Sequence, residues 1–279
     1  MRILITLLAF GCLFLSSCQK EIDPSIINGG GGGGGSTSTR LVKMVTKTGS
    51  DSSVQEFSYN SSGRIIGYKL SGVQSGQPID FRLSYVRNGS NVIQKQILKS
   101  NDLVAIGVDS IVTVVNYDVG NNRYKSGVSV FVLLGLSIRD SIAFEYNGTG
   151  RLASEIDYTD VGSGMIPSTK TEYSYAGNNL AGEKIYSYDA NGSTFQLENT
   201  YTYEYDSKIN PLQFATEGAV LSMNPFYSSN NITRTILVAS DPADNYVSVE
   251  TFTYTLSNRP ATSTSVTGSD TSTTTYYYQ

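Results

Sequence analysis

The chain contains no histidine and no tryptophan in 279 residues, and its two cysteines both fall in the first eighteen. Without histidine there is no Ser-His-Asp or Cys-His nucleophile system and no histidine-containing zinc site. Cys12 lies inside the opening apolar run and Cys18 directly after it, so nothing beyond residue 18 can form an internal disulfide or act as a thiolate. The fold must therefore be held by its core and its strand pairing. Past the opening run no stretch is long and apolar enough for a spanning helix, which needs about 20 residues. The only glycine-rich run, Gly29 to Gly35, has no strand before it and no helix after it, which excludes a phosphate or dinucleotide loop. Charge of either sign is thin: the formal net charge is −4, with no concentrated basic patch, so nucleic acid is not an expected partner.

The opening itself is informative. Arg2 precedes an apolar run from Ile3 to Leu15, followed by Ser16-Ser17-Cys18 and the polar Gln19-Lys20-Glu21. A charged start, a short apolar segment and small residues describe a secretory signal, here residues 1–17. A cysteine in that position resembles the lipobox of bacterial lipoproteins, which implies that Cys18 becomes the lipidated amino terminus. Residues 18–39 then read as a linker. A segment of 21 glycine- and serine-rich residues averages about 25 Å end to end, at about 5–6 Å times the square root of its length. The expected location is the outer membrane, anchored by lipid. Gln19-Lys20-Glu21 also looks like the short lysine-plus-acid tag after the cysteine of surface lipoproteins in the Bacteroidetes, although Ile22 separates Glu21 from Asp23. That favours the outward face.

From residue 40 to 279, expected to be one domain, the chain repeats a short grammar. An aromatic-x-Tyr triplet is followed by a turn rich in Asn, Gly and Ser, then Arg or Asn, then an aliphatic residue. It is clearest at Phe57-Ser-Tyr59 with Gly63-Arg64-Ile65 and at Phe144-Glu-Tyr146 with Gly150-Arg151-Leu152. It returns around Tyr85, Tyr117, Tyr175, Tyr205 and Tyr254. Period-two alternation puts both rings of the triplet on one face of a strand. Asn-Gly and Gly-Asn supply the positive φ of a tight hairpin turn. The expectation is all-β: an antiparallel meander of about 12–15 strands, forming one curved sheet or a half-barrel. A short helix is expected near 216–222, where the segment from Asn210-Pro211 to Arg234 breaks the period. Val128–Leu136, nearly continuous in apolar residues, reads as a strand covered on both faces. The alternative for that run is a ligand-lining or partner-binding strand. The Asn-x-Ser/Thr triplets at Asn60, Asn88, Asn147, Asn191 and Asn231 read as turn chemistry.

Tyr-Asp with turn Gly and Arg resembles the YD-repeat pattern. Tyr203-Glu-Tyr205-Asp206, Lys208 to Pro211, Ser229 to Thr233, and Phe252-Thr-Tyr254 with Arg259-Pro260 are similar to Bacteroidetes lipoproteins built from antiparallel β-hairpins. Where that group normally has Gly-Tyr-Pro, this chain has Asn258-Arg259-Pro260. The resemblance implies a fold and a location; it brings no catalytic residues and no cofactor.

Paired carboxylates are the one catalytic arrangement the composition leaves open. Glu155, Asp157, Glu172, Glu198 and Glu204 sit at strand positions and are expected on a solvated face. Asp241 and Asp244 are too few for a calcium site, which takes six to eight oxygens. Asp109-Ser110-Ile111 and Asp140-Ser141-Ile142 resemble the short O-glycosylation motif of secreted Bacteroidetes proteins, each expected just before a strand. The 20 tyrosines are the one surplus. They either pair across strands or form a platform for sugars or proteins. The expected function is a non-catalytic, lipid-anchored envelope protein acting as a structural or protein-interaction module. The alternative is a binding protein for a glycan or apolar ligand on the concave face of the sheet.

Overall fold

The computed structural model describes residues 40–160, 162, 164–213, 217–221 and 228–279. The signal and linker, residues 1–39, lie outside the described residues, as do 216 and 222 of the expected helix.

Sixteen antiparallel strands, each paired with its sequence neighbours, close into a barrel when β16 pairs with β1. In chain order they are β1 (Leu41–Thr48), β2 (Asp51–Tyr59), β3 (Ile65–Gln74), β4 (Gln77–Arg87), β5 (Ile93–Ser100), β6 (Ile111–Asp118), β7 (Arg123–Leu133) and β8 (Leu136–Tyr146). The second half comprises β9 (Leu152–Asp160), β10 (Ile166–Ala176), β11 (Asn179–Asp189), β12 (Thr194–Ile209), β13 (Asn230–Ala239), β14 (Tyr246–Tyr254), β15 (Pro260–Thr267) and β16 (Asp270–Tyr278). A five-residue helix α1 (Asn101–Ala105) joins β5 to β6. The expected helix in the insertion is α2 (Gly218–Leu221). The expectation of a curved sheet or half-barrel is therefore corrected to full closure, with one strand more than the upper figure. Closure removes both sheet edges, which a half-barrel would leave exposed. The seam is tight: Thr46 Oγ1 and Thr274 Oγ1 lie 3.0 Å apart and both side chains are buried.

The register divides the residues into two faces. Inward come Met44, Phe57, Tyr68, Leu70, Leu83, Tyr85, Val115, Tyr124 and Phe131, which are buried and form most of the core. Outward come Lys43 and Lys47 on β1, Lys69 on β3, Arg82 on β4, Lys95 and Lys99 on β5, Arg139 on β8, Lys170 on β10, Lys184 on β11 and Arg234 on β13. A membrane-spanning barrel needs an outward apolar band about 25 Å tall. Mid-strand cations interrupt such a band on these strands, whereas β14 to β16 carry none.

Val128–Leu136 also departs from expectation. Ser129, Phe131 and Leu133 point inward, whereas Val130, Val132, Leu134 and Leu136 are exposed. The run is a hairpin with one covered face, since Leu134-Gly135 is a turn with positive φ at both residues. Its continuous apolar character comes from an outer face that is also aliphatic.

Candidate functional site: the tyrosine ring and the lumen

All but one of the repeated triplets deliver their second ring to one end of the barrel, the end that also holds Arg40 and Gln279. Around that end the inward positions are Tyr59, Arg87, Tyr117, Tyr146, Tyr175, Tyr205, Tyr254 and Tyr278. Each opposes the first inward residue of its partner strand: Ile65, Ile93, Tyr124, Leu152, Leu180, Ile232, Pro260 and Leu41. A bulge beside every one of these pairs turns that residue into the lumen. The turns show why Asn leads them. In Asn60, Asn88 and Asn147 the side-chain oxygen accepts the backbone N–H four residues on, and Thr255 does the same through its hydroxyl. The residue at the left-handed position is Gly63, Asn91, Gly150 or Asn258.

The hairpins then tie to one another. Tyr59 Oη donates to Leu41 O at 2.7 Å, Tyr205 Oη to Leu180 O at 2.6 Å and Tyr278 Oη to Pro260 O at 2.8 Å. The turn arginine completes the link: Arg40, Arg123 and Arg151 lie over the rings of Tyr59, Tyr146 and Tyr175 at 6.0, 4.9 and 5.2 Å. Burial pushes the Tyr59 and Tyr146 hydroxyls up to about 12, with those arginines pulling the other way. Thus Arg123 and Arg151, each following one hairpin's turn, cover the ring tyrosine of the next hairpin, and Arg40 does the same for Tyr59. Asp206 of the Tyr-Asp dipeptide gathers three strands, accepting from Lys208 N, Asn231 N and Tyr254 Oη.

One ring position is not tyrosine. The triplet around Tyr85 is offset by two: Tyr85 matches Phe57, and Arg87 takes the ring seat. Arg87 donates to Ile65 O at 2.9 and 2.7 Å, reproducing the tyrosine bond, and to Asn91 O at 2.6 Å. Its other contacts are with Glu217, at 2.7 and 2.9 Å, with side chains 4% and 7% exposed. Glu217 precedes α2 in the β12–β13 insertion, whose Leu212, Val220 and Leu221 join the core. These residues of the insertion pack among the core side chains of β1–β7, and Gln96 Nε2 donates to Val220 O at 3.4 Å. Arg87 is the one departure in the ring, and it receives the one departure in the repeat.

The β8–β11 half is different in chemistry. Asp140, Glu155, Asp157 and Glu183 all face inward, among Thr159, Thr169, Thr171, Tyr173, Tyr201 and Tyr203. Glu155 and Asp157 were expected on a solvated face; the register puts them on the lumenal one. Thr169 Oγ1 donates to Asp157 at 2.6 Å and Tyr203 Oη to Glu183 at 2.9 Å. Burial, then the like charge of Asp157, pushes the Glu155 carboxyl up to about 8, against a bond from Tyr173. Burial also raises Asp157 and Asp140. Above Tyr173, at the ring end, a cleft of about 460 Å³ is lined by Asn147, Thr149, Arg151, Tyr173, Ser174, Tyr175 and Gly177.

The remaining sequence candidates fall elsewhere. Glu172 is outward, bonded to Lys170 and Tyr186, and Glu204 is outward with Arg234. Glu198 is exposed at the β12 bulge. Asp241 and Asp244 are exposed, and Asp241 caps a short 3-10 turn by accepting from Ala243 N. Asp109-Ser110 precedes β6 as expected, but Asp140-Ser141 lies within β8, the aspartate inward and the serine outward. Asn231 is also in a strand, buried against Asp206. Among the described residues no group of three metal-ligating side chains comes together. Cys18 lies outside the described residues.

No protein-family model matches the chain. No curated protein matches it either. Among solved structures it is similar to a porin-like protein from Bacteroides uniformis ATCC 8492, at 13% identity and a TM-score of 0.54, covering 87% of this chain and 99% of that one. It is also similar to a porin-like protein from Bacteroides vulgatus ATCC 8482, at 11% identity and a TM-score of 0.53, covering 86% and 99%. The likeness is one of fold, and in this chain that fold is an all-β antiparallel meander closed as a sixteen-stranded barrel.

Proposed function

We propose that this chain is a non-catalytic protein of the bacterial outer membrane envelope, anchored by lipid at Cys18, whose barrel binds a glycan at the ring-end cleft. The cleft carries the reading. Tyr173, Tyr175 with Arg151 over its ring, and Asn147 line a space of about 460 Å³, with the carboxylate wall beneath Tyr173. Ring faces stack on the apolar faces of sugars, while carboxylates and amides accept and donate to hydroxyls. The polar wall of the cleft is poorly suited to an apolar ligand. Nucleic acid is no better suited, since the inward acids would repel phosphate.

The test is a glycan array probed with the Arg40–Gln279 barrel, followed by calorimetry on any hit. Tyr173→Ala should abolish binding, and Tyr186→Ala on the outer wall should leave it unchanged. A barrel that retains no glycan, or equal affinity in Tyr173→Ala, overturns the reading. The structural-module alternative is favoured by the densely bonded ring, and it gains if no glycan binds.

A further inference from the structure

At the end of the barrel opposite the ring, the connectors are unequal. Five are polar: Gly49-Ser50, Ser75-Gly76, the segment 190–193, the acidic 240–245 and Gly268-Ser269. The adjacent β5–β6 and β7–β8 connectors are not. Val104 and Ile106 beside α1 are exposed, as are Val132, Leu134 and Leu136 on the β7–β8 hairpin, with Leu134 at 87%. Leu103 of α1 packs inward with Phe131, Ile138 and Leu133, so the two connectors are fixed side by side.

Leu134 is held there against its own backbone preference. Its φ is 52°, followed by Gly135 at 80°, a turn in which both central residues are left-handed. Asn, Asp or Gly suits that first position, and a leucine is strained in it. The chain uses the same turn at Ser75-Gly76, with φ of 51° and 72°, and there it places a small polar residue. A leucine in the strained seat, at the apex of a convex hairpin, offers no groove for another protein to grip. A bilayer needs no groove, since aliphatic side chains partition into it by area alone.

We propose that this crown of Val104, Ile106, Val132, Leu134 and Leu136 enters a phospholipid bilayer and holds the barrel against the membrane that bears its anchor. The inference rests on the reading of Cys18 as the anchor point, because the tether supplies the local concentration. The 21 linker residues reach about 70 Å when extended, at about 3.3 Å each. Apart from the 16-residue β12, the strands run 8 to 11 residues and make the barrel wall about 30 Å tall at about 3.3 Å per residue. A tether leaving from the ring end therefore permits the opposite end to lie on the same bilayer. The tether makes a weak contact sufficient.

The absence of tryptophan makes a clean test. The chain from Cys18 to Gln279, carrying Leu134→Trp, is coupled through its single thiol to a maleimide lipid in phosphatidylcholine–phosphatidylglycerol vesicles. The expected result is a blue-shifted, acrylamide-protected emission on vesicles, while the same chain carrying Ser75→Trp stays solvent-quenched. In untethered flotation with the same vesicles, Leu134→Asn should lower the bound fraction about tenfold and leave the fold intact, since Asn suits the turn. Equal quenching at positions 134 and 75, or unchanged flotation in Leu134→Asn, overturns the proposal. Protection at Leu134 without vesicles, lost on dilution, would mean self-association and also overturns it. The maleimide linkage is artificial, so failure here is distinct from failure of lipidation, which the mass of the Cys18 peptide from native membranes reports separately.

Discussion

Arg87→Leu is the sharpest perturbation of the barrel. The guanidinium serves Ile65 O, Asn91 O and both oxygens of Glu217, all in a site where the two side chains are 4% and 7% exposed. Leucine fills the volume and satisfies none of these groups. Glu217 is left as a buried carboxylate without its counter-charge, and two carbonyls lose their donor. Breaking a buried pair from one side costs about 3–5 kcal/mol. With a urea slope of about 3 kcal/mol/M for a domain of this size, the unfolding midpoint should fall by about 1–1.7 M. Arg87→Tyr with Glu217→Gln should behave differently. Tyrosine restores the ring bond to Ile65 O in the manner of Tyr59 to Leu41 O, and glutamine removes the buried charge. The double variant should recover at least half of the lost midpoint. The readout is circular dichroism during urea titration. A shift under about 0.3 M for Arg87→Leu, or a double variant no better than the single, would refute the latch.

Other outcomes follow from the lumen and the turns. Glu155, raised to about 8, binds its proton more tightly folded than unfolded, so its contribution is full below about pH 4.5 and is lost as pH rises through 8. Glu155→Gln should therefore lie close to the parent at pH 5 and exceed it at pH 9 by on the order of 4 kcal/mol, measured by urea midpoints. Equal midpoints at both values would contradict the buried acid wall. Gly72→Ala should cost about 3 kcal/mol or more, because its φ is 132° and an added Cβ would lie 2.2 Å from Ser52 O. Gly76→Ala, with open space around it, should cost only about 1 kcal/mol in the same melt. Tyr205→Phe removes the donor to Leu180 O and the acceptor for Ser228 Oγ. A loss of about 1–2 kcal/mol in thermal unfolding is expected.

The hairpins were legible because their signals are local. Phe57-Ser-Tyr59 and Phe144-Glu-Tyr146 announce a face, and the Asn-led turns at 60 and 147 announce the reversal. Closure was not legible, because it depends on twist and register accumulated over sixteen strands and decided where Thr274 meets Thr46. The ring's logic was half visible: the sequence shows Arg or Asn after the turns, but not that Arg151 covers Tyr175 in the next hairpin. Arg87 hid behind Tyr85, which stands two residues early and mimics the ring tyrosine. Its partner Glu217 is 130 residues away in the one stretch without a period. The lumenal face of Glu155 and Asp157 was lost for a different reason. Alternation says which residues share a face, but Thr and Tyr populate both faces here, so nothing local distinguishes lumen from solvent. The exposed side of Val128–Leu136 was misread through the same ambiguity.

The most direct test of the account is the behaviour of the Arg40–Gln279 barrel in water. The outer wall carries Lys69, Arg82, Lys95, Arg139, Lys170 and Arg234 at outward positions, and the core lies inside. Purified without detergent at neutral pH, the protein should sediment as a folded β-rich monomer with a cooperative unfolding transition. A protein that precipitates, and that recovers its β structure only in detergent micelles, would contradict a barrel whose outer wall faces water.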